Sequence, residues 1–241
     1  MPSSKNISYY THAQSKVPLE GFAALQKSWP VFVQNSVPAL RYLSNRFGRF
    51  SDYFVYGVDN ETGVVAGYGT SFPVFIDSTT GRIPRTWDES LSWSVRDAEA
   101  GTPPNAICIL DMVVDPAFQR EGIAKEIFQR LKAVAQQKRL DHILMHTRPL
   151  KKMGASYAED DLRHDPWIAY HLRKGARPLF VAEDSMVIEG SAAQWEKWTG
   201  IRIENSGKYE VGGIVPMIFD AALGEGIYSE PNFAMLYEVN E

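Results

Sequence analysis

The chain has 241 residues, of which 44% are hydrophobic and 22% charged, and its formal net charge is -4. This is the composition of an ordinary globular protein, and the length is sufficient to bury a core without disulfides or structural metal. The single cysteine, Cys108, excludes an internal disulfide and a cysteine-rich zinc site. No lysine- or arginine-dense block is present, which argues against a nucleic-acid partner.

The N-terminal segment, residues 1–16, is polar and lacks the apolar core of a signal peptide. A membrane span would need about 18 consecutive apolar residues, and no such run occurs. The sequence therefore predicts a soluble, cytoplasmic protein without a membrane partner. Cys108 lies in the apolar run ICIL, which favours a buried and inert thiol.

The first predicted elements are helical. Residues 19–36 are expected to form one or two helices, which Pro30 and Pro38 bend or end. A pair of strands follows at residues 53–59 and 63–77, with turn-forming residues between them.

Residues 77–105 interrupt this pattern, because they are polar and rich in glycine and proline. Within them, residues 86–100 favour a helix with Thr86 as its N-cap. The segment carries Trp87 and Trp93. Two interpretations stay open for this insertion, a lid over a site or a packed part of the core.

A strand, a helix and a second strand come next. Residues 106–114 form an almost unbroken apolar run, which is typical of a central strand. Residues 142–146 predict a second, short strand. Between them, apolar side chains recur at steps of three or four, as in an amphipathic helix that reaches Gln137: Ile123, Ile127, Leu131 and Val134. This order suits a parallel crossover.

The remaining elements are shorter. Asp165 is placed to cap a helix that starts at Pro166 and ends at Gly175. The other predicted elements are strands, or one interrupted strand, at 178–182 and 185–190, a helix at 192–198, and strands at 213–220 and 232–239. The acidic run Glu159–Asp161 either forms a solvated loop surface or attracts an amine substrate.

The turn before the long helix can hold a phosphate group. The first backbone amides of a helix lack carbonyl partners and lie at the positive end of its dipole. Gly122 and Ala124 are small enough for a pyrophosphate to approach the backbone, and Gln119 and Arg120 add a donor and a cation. Judged from these residues alone, a plain loop-to-helix turn remains the alternative.

This turn resembles the coenzyme A signature of the GNAT acyltransferase superfamily. The family pattern is Gln/Arg-x-x-Gly-x-Gly/Ala, and the chain has Gln119-x-x-Gly122-x-Ala124. In the family, the signature follows a strand that ends in Val-x-Pro, and Val114-Asp115-Pro116 is similar to that ending.

A second element supports the resemblance. GNAT proteins usually carry a later helix of the type Ala-x-x-Tyr-x-x-x-Gly-Phe, which residues 169–176 resemble. The residue four positions before Gly175 is His171 instead of tyrosine, and Ala176 replaces the phenylalanine. The stretches HDPWIAYHLRKGA, WEKWTG and YSEPN resemble a group of larger family members with an elaborated C-terminal tail.

The resemblance implies an α/β GNAT acyltransferase fold, with a central splayed mixed β-sheet flanked by helices. It covers residues 53–189 and leaves the tail and the tryptophan segment outside the core fold. We therefore expect an acyltransferase domain at residues 1–190, with an insertion at 77–105. A β-rich C-terminal extension at 191–241 would pack on the same domain.

The resemblance also implies acetyl-CoA, or another acyl-CoA, as co-substrate. The main chain of Met112, Val113 and Val114 would bind the pantetheine arm. The pyrophosphate would be held by the amides of Gln119, Arg120, Glu121, Gly122, Ile123 and Ala124. No metal is expected: His142 and His146 lie on a predicted strand, where four steps separate residues by about 13 Å. His146 ends that strand near the expected cleft.

Two side chains are candidates for the chemistry. Asp111 interrupts an apolar strand and is the candidate base that removes a proton from the amine; the alternative is a carboxylate paired with an arginine or a loop amide. His171 is the candidate acid for the leaving thiolate; the alternative is a histidine that packs and bonds locally. Tyr170 is a second possible donor, but by its register we expect it to face the core.

The resulting prediction is an N-acyltransferase that moves an acyl group to the amine of a small molecule by direct attack on the thioester. An alternative is an acyl-CoA-binding sensor or scaffold of the same fold without turnover. A third is an O-acyl or longer-chain acyl transferase. The acceptor and the acyl chain length are not predicted, and a homodimer is left open.

Overall fold

The computed structural model describes residues 6–149 and 163–240. The acidic run Glu159–Asp161 lies outside these residues. The helices are α1 (Leu19–Gln26), α2 (Val37–Tyr42), α3 (Trp87–Ala100), α4 (Ile123–Gln137), α5 (Pro166–Arg173) and α6 (Ala192–Thr199). The strands are β1 (Ile7–Thr11), β2 (Phe54–Asp59), β3 (Val65–Val74), β4 (Ala106–Val114), β5 (His142–Thr147), β6 (Arg177–Ser191), β7 (Gly207–Tyr209), β8 (Met217–Asp220) and β9 (Glu225–Glu238).

All the described strands belong to one sheet, in the order β1-β2-β3-β4-β5-β9-β8-β7, with β6 also paired to β9. Between the described strands, only the β4–β5 ladder is parallel. A parallel pair needs a crossover connection, and α4 supplies it. The predicted mixed α/β architecture and its strand–helix–strand unit are confirmed.

The two parallel strands separate near the middle of the sheet. β4 and β5 are paired from Ala106–His142 to Ile109–Met145 and no further. Beyond that point β4 stays paired with β3 as far as Val114, and β5 stays paired with β9. Among the described residues, no strand therefore pairs with the β5-facing edge of β4 from Leu110 onward.

A β-bulge lies at the same point. Thr70 pairs with Asp111 and Ser71 with Ile109, so Leu110 is an extra residue in β4. The bulge interrupts the alternation of side chains, so Leu110 and Asp111 both lie on the sheet face opposite α4. The indole Nε1 of Trp87 donates to the Leu110 carbonyl at 2.7 Å and holds the bulge in place.

Helices cover both faces of the sheet. On one face, α4 buries the apolar side chains that its spacing predicts, including Ile127 and Leu131. On the other face, α3 packs Trp87 and Leu91 against β3 and β4, and Trp87 is 6% exposed. The tryptophan segment is therefore a packed part of the core and not a lid. Thr86 caps α3, as predicted.

The N-terminal strand is absent from the sequence-based prediction. β1 pairs with β2 at the edge of the sheet, and most of its residues are only half-buried, so it lacks a strong apolar pattern. The tail also differs from expectation, because β9 lies directly beside β5. Residues 191–241 thus supply a strand of the main sheet, while the proposed division at residue 190 stays a prediction. No helix in the described ranges is both long enough and apolar enough to cross a membrane.

Candidate functional site

The turn between β4 and α4 exposes backbone amides at the start of a helix. Gly122 precedes α4 with a φ of 80°, a left-handed conformation that glycine adopts without strain. The amide of Glu126 donates to the Gly122 carbonyl at 3.0 Å. The amides of residues 123–125 precede this first helical hydrogen bond, and amides at the start of a helix lack an intrahelical carbonyl partner, which suits them to bind an anion.

These amides border a cavity of about 320 Å³. We call it the α4 cavity; its walls include Val114, Gln119, Arg120, Gly122, Ile123, Ala124, Phe128, Trp167, Tyr170 and His171. Apart from the two chain neighbours of Gly122, no atom of the described residues lies within 4 Å of a Cβ added there, so these residues leave space above the turn. Glu121 lies elsewhere, in a surface depression beside Tyr9.

A larger cavity, of about 530 Å³, occupies the gap between β4 and β5. We call it the splay cavity; its walls include Trp29, Leu110, Asp111, Met112, Ala124, His146, Thr147, Arg148, Trp167 and Gly212–Ile214. Ala124 and Trp167 also line the α4 cavity, so the two cavities adjoin. A coenzyme held at the turn could thus extend into the gap between the strands.

A third cavity, of about 310 Å³, adjoins the splay cavity at Trp29, Leu110 and Asp111. Its other walls are mostly apolar and come mainly from α1, α2 and the residues around them, with Met186 added from β6: Gln26, Val33, Ala39, Leu40, Leu43 and Phe47. The three cavities form a series across the sheet, from the amide turn to the face that carries α1 to α3.

Asp111 lies where the splay cavity meets the third cavity. Its side chain is 9% exposed, and Oδ2 is 3.7 Å from Arg46 Nη1. The Tyr68 hydroxyl donates to Oδ2 at 3.4 Å. Burial raises the pKa of Asp111, and the Arg46 guanidinium opposes that rise. The arginine pairing foreseen as an alternative is present, while the carboxylate also borders the cavity.

His171 and Tyr170 are placed differently from each other. His171 is 1% exposed, its Nδ1 is 2.8 Å from the Tyr237 hydroxyl, and burial lowers its pKa to about 4. Tyr170 is half-buried and lines the α4 cavity, with its ring stacked on Trp167 at 5.6 Å. The expectation that Tyr170 faces the core is wrong, because Ile168 and His171 form the buried face of α5.

The pantetheine-binding segment predicted from the sequence lies on the open edge of β4. Met112 lines the splay cavity and Val114 lines the α4 cavity. Val113 is buried on the opposite face, among side chains of α1, β2 and β3. The predicted interaction uses main-chain groups, so it does not depend on the directions of these side chains.

Two further groups line the splay cavity, one from β5 and one from the residue that follows it. His146 is 6% exposed, and burial lowers its pKa to about 4, so its imidazole is neutral at pH 7. Arg148 pairs with the buried carboxylate of Glu230, from β9, at 3.0 Å. The sequence analysis placed His146 near the cleft but missed this pair. Its only sequence signal is an acid within the largely apolar β9.

The chain is similar to several known proteins. Residues 22–155, more than half of the chain, match the model of the acetyltransferase (GNAT) family. Arginine N-acetyltransferase avaD of Aspergillus versicolor is 25% identical over 252 residues, which cover 88% of this chain and 86% of that protein.

Solved structures share the fold. The GphF GNAT-like decarboxylase in complex with isobutyryl-CoA has a TM-score of 0.54 at 15% identity, covering 97% of this chain and 99% of that one. The loading GNATL domain of CurA from Lyngbya majuscula has a TM-score of 0.54 at 12% identity, with 98% of each chain covered. The predicted fold and the acyltransferase class are confirmed, and the chain belongs to the GNAT acetyltransferase family.

Proposed function

We propose that this acyltransferase uses acetyl-CoA and that its acceptor is the amine of a small molecule. The observation that carries the proposal is the series of three adjoining cavities, which runs from the amide turn past Asp111. The name of the Aspergillus relative refers to N-acetylation of arginine, a small amine, which supports this acceptor class. A cytoplasmic location and a homodimer stay predictions from the sequence.

In this proposal the coenzyme lies along the open edge of β4. The amides of residues 119–124 hold the pyrophosphate at the positive end of the α4 dipole. The main chain of residues 112–114 binds the pantetheine arm as an added strand would. The thioester then lies in the splay cavity, beside Leu110 and Asp111.

The reaction is a direct transfer. Asp111 accepts the proton of the acceptor ammonium, the neutral nitrogen attacks the thioester carbon, and the carbon–sulfur bond breaks. A main-chain N–H of the bulged strand donates to the oxygen on which negative charge develops. The nitrogen loses its second proton to water, and the leaving thiolate takes a proton from the protein or from water, which leaves free coenzyme A and an amide.

The sequence assigns the thiolate proton to His171, and the cavity walls offer Tyr170 as an alternative. The His171 imidazole has a pKa of about 4, so it is neutral at pH 7, and its Nδ1 is 2.8 Å from the Tyr237 hydroxyl, whereas Tyr170 is a half-buried side chain that lines the α4 cavity. We therefore expect Tyr170→Phe to lower kcat about 10-fold or more without changing KM for acetyl-CoA. His171→Phe serves as the comparison. Full activity of Tyr170→Phe with a loss in His171→Phe would assign the proton to the histidine.

The proposed function is tested by following free thiol from acetyl-CoA with a panel of small amines, including amino acids, arylalkylamines and polyamines. We expect turnover with at least one class and none without acceptor. The binding of coenzyme A is followed separately by thermal shift. Binding of coenzyme A without turnover of any amine in the panel would contradict the proposal and favour an acyl-CoA-binding sensor or scaffold.

A further inference from the structure

The end of β5 places an arginine against the splay cavity. The Arg148 guanidinium carbon is 5.6 Å from the centre of the Trp29 ring, and both side chains line the cavity. Arg148 Nε lies 3.0 Å from Oε1 of Glu230. Glu230 is 2% exposed and Arg148 is 26% exposed, so the carboxylate is buried behind a guanidinium that reaches the cavity surface.

The carboxylate behind Arg148 is itself held in place. The Tyr228 hydroxyl donates to Glu230 Oε2 at 2.5 Å and accepts from the Ile214 amide at 3.2 Å. Gly213 allows this loop to approach, because a Cβ there would lie 2.3 Å from the Tyr228 ring. The result is a chain of contacts from a cavity-lining loop through Tyr228 and Glu230 to Arg148. Donors fixed in this way lose little conformational freedom when they bind an anion.

Charge is distributed unevenly along the cavity wall. β4 contributes the carboxylate of Asp111, which is backed by Arg46 at 3.7 Å. The end of β5 contributes the guanidinium of Arg148, which is backed by Glu230. An ammonium group is attracted to the first and a carboxylate to the second. The wall is therefore complementary to a molecule that carries both.

We infer that the acceptor is an amine that also carries a carboxylate, and that Arg148 binds this carboxylate while the amine meets Asp111. The inference rests on the proposed function and names its substrate class. A guanidinium can hold a carboxylate through two parallel hydrogen bonds, and it remains charged at any relevant pH. Glu230 and Tyr228 act as positioning residues, because they orient the guanidinium and do not touch the acceptor.

The test compares L-amino acids with their carboxamides and their decarboxylated amines, with acetyl-CoA and the full chain. We expect kcat/KM for the acceptor acid to exceed that for its carboxamide by about 10- to 100-fold, the effect of one charge-assisted hydrogen-bonded pair. In Arg148→Gln/Glu230→Gln, the value for the acid should fall to that of the carboxamide. The value for the carboxamide should fall by a smaller factor, because the carboxamide has no charge for Arg148 to bind.

The double variant removes both charges together, because Arg148→Gln alone would leave a buried carboxylate without its cation. Arg148→Lys keeps the charge without the planar fork and should give an intermediate ratio. Arg202→Gln, at an exposed pair with Glu204, is the matched control and should change neither value. The amine of an amino acid carboxamide is a weaker base than the amine of the acid, so the two substrates differ in more than their charge. The test therefore compares the acid-to-carboxamide ratio of kcat/KM in the wild type with the same ratio in the double variant.

Equal values for acid and carboxamide in the wild type, or a preference that survives in the double variant, would overturn the inference and leave the proposed function intact. Turnover limited to amines without a carboxylate would also overturn the inference and leave the proposed function intact. Absence of thiol release with every acceptor would instead overturn the proposed function, and the inference with it.

Discussion

Coenzyme A is expected to stabilise the wild-type chain but not the Ala124→Glu variant. Ala124 lies in the first turn of α4 and borders both the α4 cavity and the splay cavity. A carboxylate there favours the helix, because it lies at the positive end of the dipole. It also occupies the space proposed for the pyrophosphate and repels it. The variant should therefore fold normally and lose the ligand.

The size of the effect follows from mass action. Ligand at about 100 times its Kd stabilises a protein by about 2.7 kcal/mol, which raises Tm by about 5–10 °C for a chain of this length. If the substitution weakens binding about 100-fold, about 0.4 kcal/mol and a shift of about 1 °C remain. Differential scanning fluorimetry with and without coenzyme A measures both values.

Gln129→Glu is the matched control for this experiment. It adds the same charge to the same helix, about 7.5 Å further along the axis, on an exposed side chain. The control should keep the full shift in Tm. An undiminished shift in Ala124→Glu would show that the pyrophosphate lies somewhere other than the α4 turn.

Replacing Asp111 with asparagine should lower kcat by about 10²- to 10⁴-fold, the range attributed to a general base. Asparagine has nearly the same shape but cannot accept the proton of the amine. KM for acetyl-CoA should stay unchanged, since the proposed coenzyme contacts are main-chain groups. Steady-state kinetics of thiol release separate the two parameters.

A matched control is needed because Asp111 also neutralises a buried arginine. Arg46 is 7% exposed, and removing the partner of a buried charge lowers the free energy of unfolding. Asp97→Asn breaks the ion pair of another largely buried aspartate, with the more exposed Arg82, which is 2.5 Å away and outside the three cavities. The control should lower Tm without lowering kcat. If Asp111→Asn keeps full kcat, the Asp111 carboxylate is not the base and has a structural role only. His146→Gln would then test whether the His146 imidazole is the base.

Local features of the site could be predicted from the sequence, because they depend on residues close together in the chain. The apolar run of β4, the period of α4 and the small residues before it define the strand, turn and helix that border the cavities. Gly122 adopts the left-handed conformation that a tight turn before a helix needs. Thr86 and Asp165 accept hydrogen bonds from the first amides of α3 and α5, as their types predict.

The partners of the side chains were decided by the tertiary structure alone. Arg46 reaches Asp111 from a 3₁₀ turn near the N-terminus, and Glu230 reaches Arg148 from the C-terminal strand. The exposure of Tyr170 and the burial of His171 depend on which face of α5 packs against the core. Backbone propensities act over a few residues, whereas these contacts join segments that meet only when the sheet and its helices assemble. The sequence by itself thus determined the turn where coenzyme A is proposed to bind, and the assembled sheet decided which charged groups line the wall where the acceptor is proposed to bind.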